Sequence, residues 1–337
     1  MTQLLKVHGS QNNFFILDQT TLTTPLTQPE LVHLAQVLAN PKTGLLAGSD
    51  GLLVVDRSTH PGVLGKMQVI NADGSIASMC GNGLRTVARY LSEKYQLAKF
   101  KVETMNADLE VRQAADFAPG VPAFAVEISP VSFDLKTLPL TNIGHQRLLD
   151  QYVPEFAPGL KFSALAVPNP HLIAYVKQAD LTGPLLGELG KRLNGPNPYF
   201  TDGVNINFAQ ILGKNKLFIR TYERGVGFTN ACGTGMSATS LAFALTHPDL
   251  GTFDQEITAY NPGGLVKTVL RHQADKYWIE LIGNATVTHR IELPEASLHT
   301  AQKLSAEITA TGEQENYQAF VESLPRLNSL QVFGDPS

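Results

Sequence analysis

Residues 66–91 read KMQVINADGSIASMCGNGLRTVARYL, and residues 217–245 read LFIRTYERGVGFTNACGTGMSATSLAFAL. Each stretch holds a strand-like run, a polar turn with glycine, the sequence Cys-Gly-x-Gly, and then a helical pattern. Asn71 precedes Cys80 by nine residues, and Glu223 precedes Cys232 by nine. The step of 152 residues that separates the cysteines also relates Asp50-Gly51 in SDGLLVV to Asp202-Gly203 in TDGVNINF. Further on, VETMNADLEV (102–111) resembles ITAYNPGGLVKTV (257–269), and FAVEI (124–128) resembles YWIEL (277–281). Matches that recur in one order are the mark of a duplicated domain.

The rest of the chain fits around this repeat. Strand patterns occur at 14–18, 52–56, 66–71, 100–105 and 109–113, and again at 171–176, 205–211, 216–223, 256–260, 265–270 and 277–282. Helical patterns cover 29–39, 82–95, 184–193 and 234–246. Many strands, few helices and hairpin spacing late in each repeat predict a mixed α/β (α+β) fold. Its two pseudo-symmetric halves are each a β-sheet wrapped around a central helix, and a doubly wound parallel sheet is disfavoured. The expected division is a half at 1–130 with the first cysteine, a half at 131–290 with the second, and a C-terminal tail at 291–337. Within the tail, 297–309 and 313–323 have helical periodicity, and the tail is expected to pack without chemistry of its own.

Composition narrows the function. A formal net charge of −4 leaves no basic excess to neutralise phosphates, so nucleic acid is not an expected partner. No apolar run approaches the roughly 20 residues that span a bilayer, and the N-terminus lacks the charged and apolar regions of a signal peptide. A cytoplasmic address is therefore expected. With two cysteines, the chain carries neither a disulfide framework nor a C-x-x-C metal pair. Its nine histidines show no ligand spacing, and no lysine stands out as a Schiff base.

Cys-Gly-x-Gly ahead of a helix is chemically useful. A helix N-terminus offers unpaired N–H groups and the positive end of the macrodipole, which stabilise a thiolate. Glycine lets a ligand approach the backbone, and the same N–H groups can hold a carboxylate. Loss of a proton from the adjoining carbon sends charge onto carboxylate oxygens that already face donors. Two such sites, one thiolate and one thiol, would remove a proton from one face of a carbon and return one to the other. A lone cysteine is more often a small core hydrophobe, and a Cys-Gly-x-Gly loop alone is a weak signal; the matched contexts are what favour chemistry. Closure of the two thiols into a disulfide under oxidation is a side reaction of the same arrangement.

Five segments carry a family resemblance: HGSQNNFFILD (8–18), NADGSIASMCGNGLRTVARY (71–90), VPNPHLIAYV (167–176), DGVNINFAQ (202–210) and YERGVGFTNACGTG (222–235). In these the chain resembles the diaminopimelate epimerase family across about residues 1–290. The resemblance implies a cofactor-independent isomerase of lysine and peptidoglycan-precursor synthesis that interconverts LL- and meso-diaminopimelate. Cys80 and Cys232 would be the two bases, donor and acceptor in the written direction. Gly81, Asn82, Gly233 and Thr234 would bind the reacting carboxylate. Glu223 and His171 would steer the amino group and the thiol protonation. Asn71, Asn205 and Arg224 would hold the far carboxylate, with Asn12 and Asn169 completing the site. The expected partners are the small-molecule substrate and a second copy of the chain as a homodimer, with no nucleic acid and no membrane.

The chain departs from the family pattern in places. HGSQNNF stands where HGLGNDF is usual, Gly51 where some members carry Gln, and Phe228 and Asn230 where Glu and Leu are common. A proline racemase or hydroxyproline epimerase is the nearest alternative, but such proteins resemble a CGHG first loop, where this chain has CGNG. A relative without racemase activity, acting as an isomerase or binding protein, tends to lack one or both cysteines.

Overall fold

A computed structural model describes residues 1–302 and 304–324. The chain forms two compact units, Met1–Val126 with Gly283–Ser323, and a second built on Glu127–Ile282. The first begins with β1 (Thr2–Gly9), β2 (Asn12–Asp18), α1 (Gln28–Ala39), β3 (Gly51–Asp56), β4 (Gly65–Asn71) and β5 (Ile76–Ala77). It continues through α2 (Gly81–Tyr95), β6 (Lys99–Glu103), β7 (Asp108–Ala118) and β8 (Val121–Ile128). β2 runs parallel to β3, β3 antiparallel to β4, β4 parallel to β6, and β6, β7 and β8 form antiparallel pairs.

The second unit opens with β9 (Gln151–Tyr152), β10 (Lys161–Ala166), β11 (Pro170–Tyr175), α3 (Gln178–Thr182) and α4 (Leu185–Asn194). Then come β12 (Asn205–Gly213), β13 (Lys216–Glu223), β14 (Gly227–Thr229), α5 (Gly233–Thr246), β15 (Glu256–Asn261), β16 (Gly264–Gln273) and β17 (Lys276–Asn284). The pairing repeats that of the first unit. β11–β12 is parallel, β12–β13 antiparallel, β13–β15 parallel, and β15, β16 and β17 form antiparallel pairs. The duplication inferred from the two cysteine segments is thus a duplication of strand order and direction.

The first five residues of β3 and of β12 are buried on both faces, with successive residues serving different helices. Leu52 and Val54 of β3 join Leu31, Leu34 and Leu38 of α1 in one core, while Leu53 lies against Gly83 of α2. In β12, Ile206 and Phe208 pack with Leu186, Leu189 and Leu193 of α4, and Asn207 meets Gly235 of α5. α2 and α5 are buried along nearly their whole circumference, as a helix enclosed by strands must be. Small residues in GTGMSATSLAFALT keep α5 thin enough to fit. Full burial of Leu241 or Phe243 contributes about 1.5–3 kcal/mol each.

The chain's end differs from the expected division. Residues 283–290 and the tail as far as Ser323 belong to the first unit. β18 (Thr286–Leu293) pairs antiparallel with β1, matching Thr2 with Leu293 and Leu4 with Ile291. The region 297–309 is not one helix: α6 (Glu295–Thr300) stops at Ala301, whose φ is +50°. β19 (Glu307–Ala310) then pairs with β18, and α7 (Glu313–Ser323) is helical as expected. The β-branched pair Ile308-Thr309 suits an edge strand. The remainder of the expected tail, 325–337, lies outside the described residues. β1 also went unread in the sequence, because it is paired on both sides, and seven of its eight residues are buried, which erases the alternation.

Candidate active site

The two cysteines occupy the same backbone position. Cys80 is the N-cap of α2 (φ −140°, ψ 109°) and Cys232 the N-cap of α5 (φ −116°, ψ 106°). At Cys80 the N–H of Gly83, three residues on, donates to the sulfur at 3.4 Å, whereas Cys232 makes no cap hydrogen bond of its own and feels the Gly235 amide only weakly. The Cys80 contact is the geometry in which an N-cap side chain accepts from a first-turn amide. Gly81-Asn82 and Gly233-Thr234 supply the first amides of their helices, as the sequence predicts.

Around Cys80 the first unit gathers Asn12 and Asn82. The sulfur lies 3.6 Å from Asn12 Oδ1, which also accepts from Asn82 Nδ2 at 3.3 Å. Asp50 fixes Asn12: its Oδ2 accepts from Asn12 Nδ2 at 2.6 Å and from the Asn13 N–H at 2.7 Å. Asn71 ends β4, and its amide donates to Ser75 Oγ at 2.9 Å inside its own turn. Ser10 and Gln11, the departures in HGSQNNF, take φ of +53° and +67°. They form the two-residue hairpin turn between β1 and β2, where both central residues need positive φ. Gly51 is fixed by space, since a Cβ there would lie 2.2 Å from the Ile70 carbonyl oxygen; no longer side chain fits.

Around Cys232 the second unit gathers a denser set. Cys232 is 5% exposed, and its sulfur lies 3.6 Å from Thr234 Oγ1 with the Glu223 carboxyl as its charged neighbour. Thr229 Oγ1 donates to Glu223 Oε1 at 2.5 Å. Burial, then the neighbouring Glu223 charge, push the thiol well above its ordinary value. Burial also raises Glu223. Cys232 is therefore held as the thiol.

His171 is wholly buried. Its Nε2 lies 3.2 Å from Asn169 Oδ1 and its Nδ1 3.1 Å from Asn207 Nδ2. Asn207 is fixed in turn by Thr221, whose hydroxyl donates to Oδ1 at 2.9 Å. These partners assign a neutral ring with the proton on Nε2. Burial, reinforced by Arg224, lowers His171 to about 3. Asn205 Oδ1 accepts the Arg224 N–H at 2.8 Å, and the exposed guanidinium donates to the Asp202 carbonyl at 3.0 Å. Phe228 stands edge-on to Tyr222, with centroids 5.4 Å apart.

Three supporting residues escaped the sequence reading: Asp50, Thr229 and Asn207. Asn207 had a signal, since Asn-Ile-Asn at 205–207 puts two amides on one face of an otherwise apolar strand. Gly235 is its counterpart, because a Cβ there would sit 2.4 Å from Asn207 Oδ1. Among the described residues no group of three or more His, Cys, Asp or Glu is placed to hold a metal ion. Nor is any described helix long and apolar enough to cross a membrane.

Histidine burial has a consequence for stability. His8 is 1% exposed, and burial lowers it to about 4. The unfolded chain, titrating near 6.5, takes up a proton before the folded one does. Stability from neutral His8 is complete above pH 6.5 and is lost as pH falls through about 4. Chemical denaturation between pH 7 and 4 should show this loss, and His8→Gln should flatten it. An unchanged slope in that variant would remove His8 as the cause.

The sequence matches the profile of a family described as diaminopimelate epimerase over residues 4–127 and 163–288. It is 53% identical over 326 residues to a diaminopimelate epimerase of Ligilactobacillus salivarius, covering 96% of this chain and all of that one. It is 52% identical over 328 residues to a diaminopimelate epimerase of Lactiplantibacillus plantarum, covering 96% and 99%. In fold it is similar to a phenazine biosynthesis protein of the PhzF family from Bacillus anthracis. That comparison has a TM-score of 0.60 and 14% identity, covering 87% of this chain and 99% of the other.

Proposed function

The chain belongs to the diaminopimelate epimerase family, and from that premise we propose that it interconverts LL- and meso-diaminopimelate through two opposed thiols. The observation that carries the mechanism is the placement of both cysteines as N-caps of buried helices in units of equal topology. The reacting carboxylate is held by the first-turn amides at Gly81-Asn82 and Gly233-Thr234. One sulfur, as thiolate, takes the α-proton, and charge moves onto carboxylate oxygens that face those amides. The other sulfur, as thiol, returns a proton to the opposite face. Roles exchange in the reverse direction, so the two sulfurs titrate as a pair.

Glu223 acts beside Cys232, receiving the substrate's amino group and holding the thiol proton in place. His171, neutral and buried, orients Asn169 and is itself oriented by Asn207. The far end of the substrate, a second amino-acid group, is recognised by Asn71, Asn205 and Arg224. The guanidinium is exposed and donates to a backbone carbonyl, that of Asp202; a planar fork is suited to a carboxylate. Arg224→Lys should therefore raise KM for diaminopimelate roughly tenfold or more while changing kcat less. Steady-state kinetics check this, and an unchanged KM removes Arg224 from the distal site. A cytoplasmic address and a homodimer go with this reading, the latter tested by light scattering on a size-exclusion column.

The test of the function is incubation of purified protein in deuterated water, under reducing conditions and without added cofactor, with LL-diaminopimelate or L-proline. Inversion of diaminopimelate with deuterium at the α-carbon is expected. Inversion of proline alone assigns the protein to the alternative family, and exchange with neither substrate ends the two-thiol reading.

A further inference from the structure

α2 carries a second charged group one turn beyond Cys80. Arg85 is fully buried. Its Nε donates to the Asn284 carbonyl at 3.2 Å and one terminal nitrogen donates to Ser10 Oγ at 3.2 Å. The other terminal nitrogen has no hydrogen-bond partner among the described residues. The socket is cut to the guanidinium by two glycines. A Cβ on Gly9 would lie 2.8 Å from its terminal nitrogen, and one on Gly283 would lie 2.6 Å from Cζ. Burial pushes Arg85 down to about 10, which still leaves it charged at neutral pH.

A buried cation without an anion costs several kcal/mol, so its surroundings matter. The carboxylates nearby serve other cations or amides. Glu313 and Glu93 pair with Arg89, and Asp50 is engaged by Asn12, the Asn13 amide and Lys6. Burial keeps His8, on β1, neutral, and keeps Tyr317, on α7, a neutral phenol. The guanidinium reaches back to the start of α2, since a Cβ on Gly9 would lie 2.8 Å from both its terminal nitrogen and the Asn82 carbonyl oxygen. Cys80, two residues before Asn82, is the group there able to supply the opposite charge. The duplicated unit lacks this cation. Five residues beyond Cys232 stands Ser237, whose hydroxyl donates to the Gly233 carbonyl at 2.9 Å. Nine residues before Cys232 stands Glu223, an acid where the first unit has Asn71.

We propose that Arg85 is a positioning residue for Cys80, its buried guanidinium supplying the countercharge that makes Cys80 the resting thiolate and leaves Cys232 the resting thiol. The resting enzyme is thereby set for the direction in which Cys80 accepts, the reverse of the one in which the family resemblance makes it the donor. The proton Cys80 gives up passes to solvent, which reaches this half-buried sulfur. Duplication supplies two equivalent thiols, and the cation in one unit and the acid in the other make them unequal. This deepens the two-thiol reading above and rests on it.

The test uses the full chain with Cys232→Ser, in which Cys80 is the single thiol. Its alkylation by iodoacetamide is followed from pH 5 to 10. The midpoint should lie below the ~8.5 of a free cysteine. Arg85→Gln should raise it by about one unit or more, slowing alkylation at pH 7 roughly tenfold, and Arg85→Lys, which keeps the charge, should restore most of the rate. A folded Gln variant with an unmoved midpoint overturns the proposal. So does a midpoint at or above ~8.5 with Arg85 intact, a result that needs no Arg85 variant to fold. Thiol titration and epimerisation are separate readouts, so an inactive protein with a low midpoint would count against the epimerase reading and leave Arg85's role standing.

Discussion

Cys80→Ala and Cys232→Ala should each lower epimerisation by at least ~10³-fold in both directions, within the range for loss of a positioned acid or base. Both directions fall because each sulfur is base in one and acid in the other. The fold should persist, since the strands around α2 and α5 are held by aliphatic cores that the sulfurs do not build. Circular dichroism and denaturation midpoints check that separately from rate. The serine variants refine the result. Cys80 can still take the α-proton and return a solvent-derived one to the same face, so Cys232→Ser should retain some exchange at the α-carbon without inversion. Full turnover by either alanine variant would falsify the two-base scheme.

Glu313→Ala should destabilise the protein by roughly 3 kcal/mol, as expected when one partner of a buried ion pair is removed. Glu313 opens α7 and holds Arg89 of α2 through two contacts, at 2.6 and 2.7 Å, and it also accepts the Val287 N–H at 2.8 Å. Arg89 is 7% exposed, so its charge would stay buried with less compensation. The figure sits at the low end because Glu93 keeps its bond to Arg89 Nε. Differential scanning calorimetry should show a melting point lower by about 5–10 °C. Glu93→Ala, which removes a half-exposed carboxylate, should cost less than ~1 kcal/mol. Equal costs would mean that Glu313 is not the main support of Arg89. The tail read as an appendage would then owe its place to apolar contacts such as Tyr317 on His8.

Much of the site was legible because its chemistry is local. A cysteine, two glycines and a helical pattern fall within a dozen residues, and the capping geometry follows from them. Asn12 and Asn82 also lie in the quoted segments, and the structure brings both to Cys80. Asp50, Thr229 and Asn207 were harder to read, since each acts through another side chain and nothing in its own neighbourhood announces the partner.

The sequence by itself determined the repeat, the mixed α/β class, the two N-cap thiols and the family, all properties of short segments and their order. Only the tertiary structure decided that the chain's end completes the first unit, because β1–β18 pairing joins residues nearly 290 positions apart and carries no local signature. It alone decided which groups hold their charges. Arg85 lies in an apolar helical run that a sequence cannot distinguish from an exposed arginine. Its burial depends on Gly9, Gly283 and Asn284, and Cys232 is pushed toward the thiol by its own enclosure and then by Glu223. Protonation follows from what surrounds a group in space, and those surroundings come from distant parts of the chain.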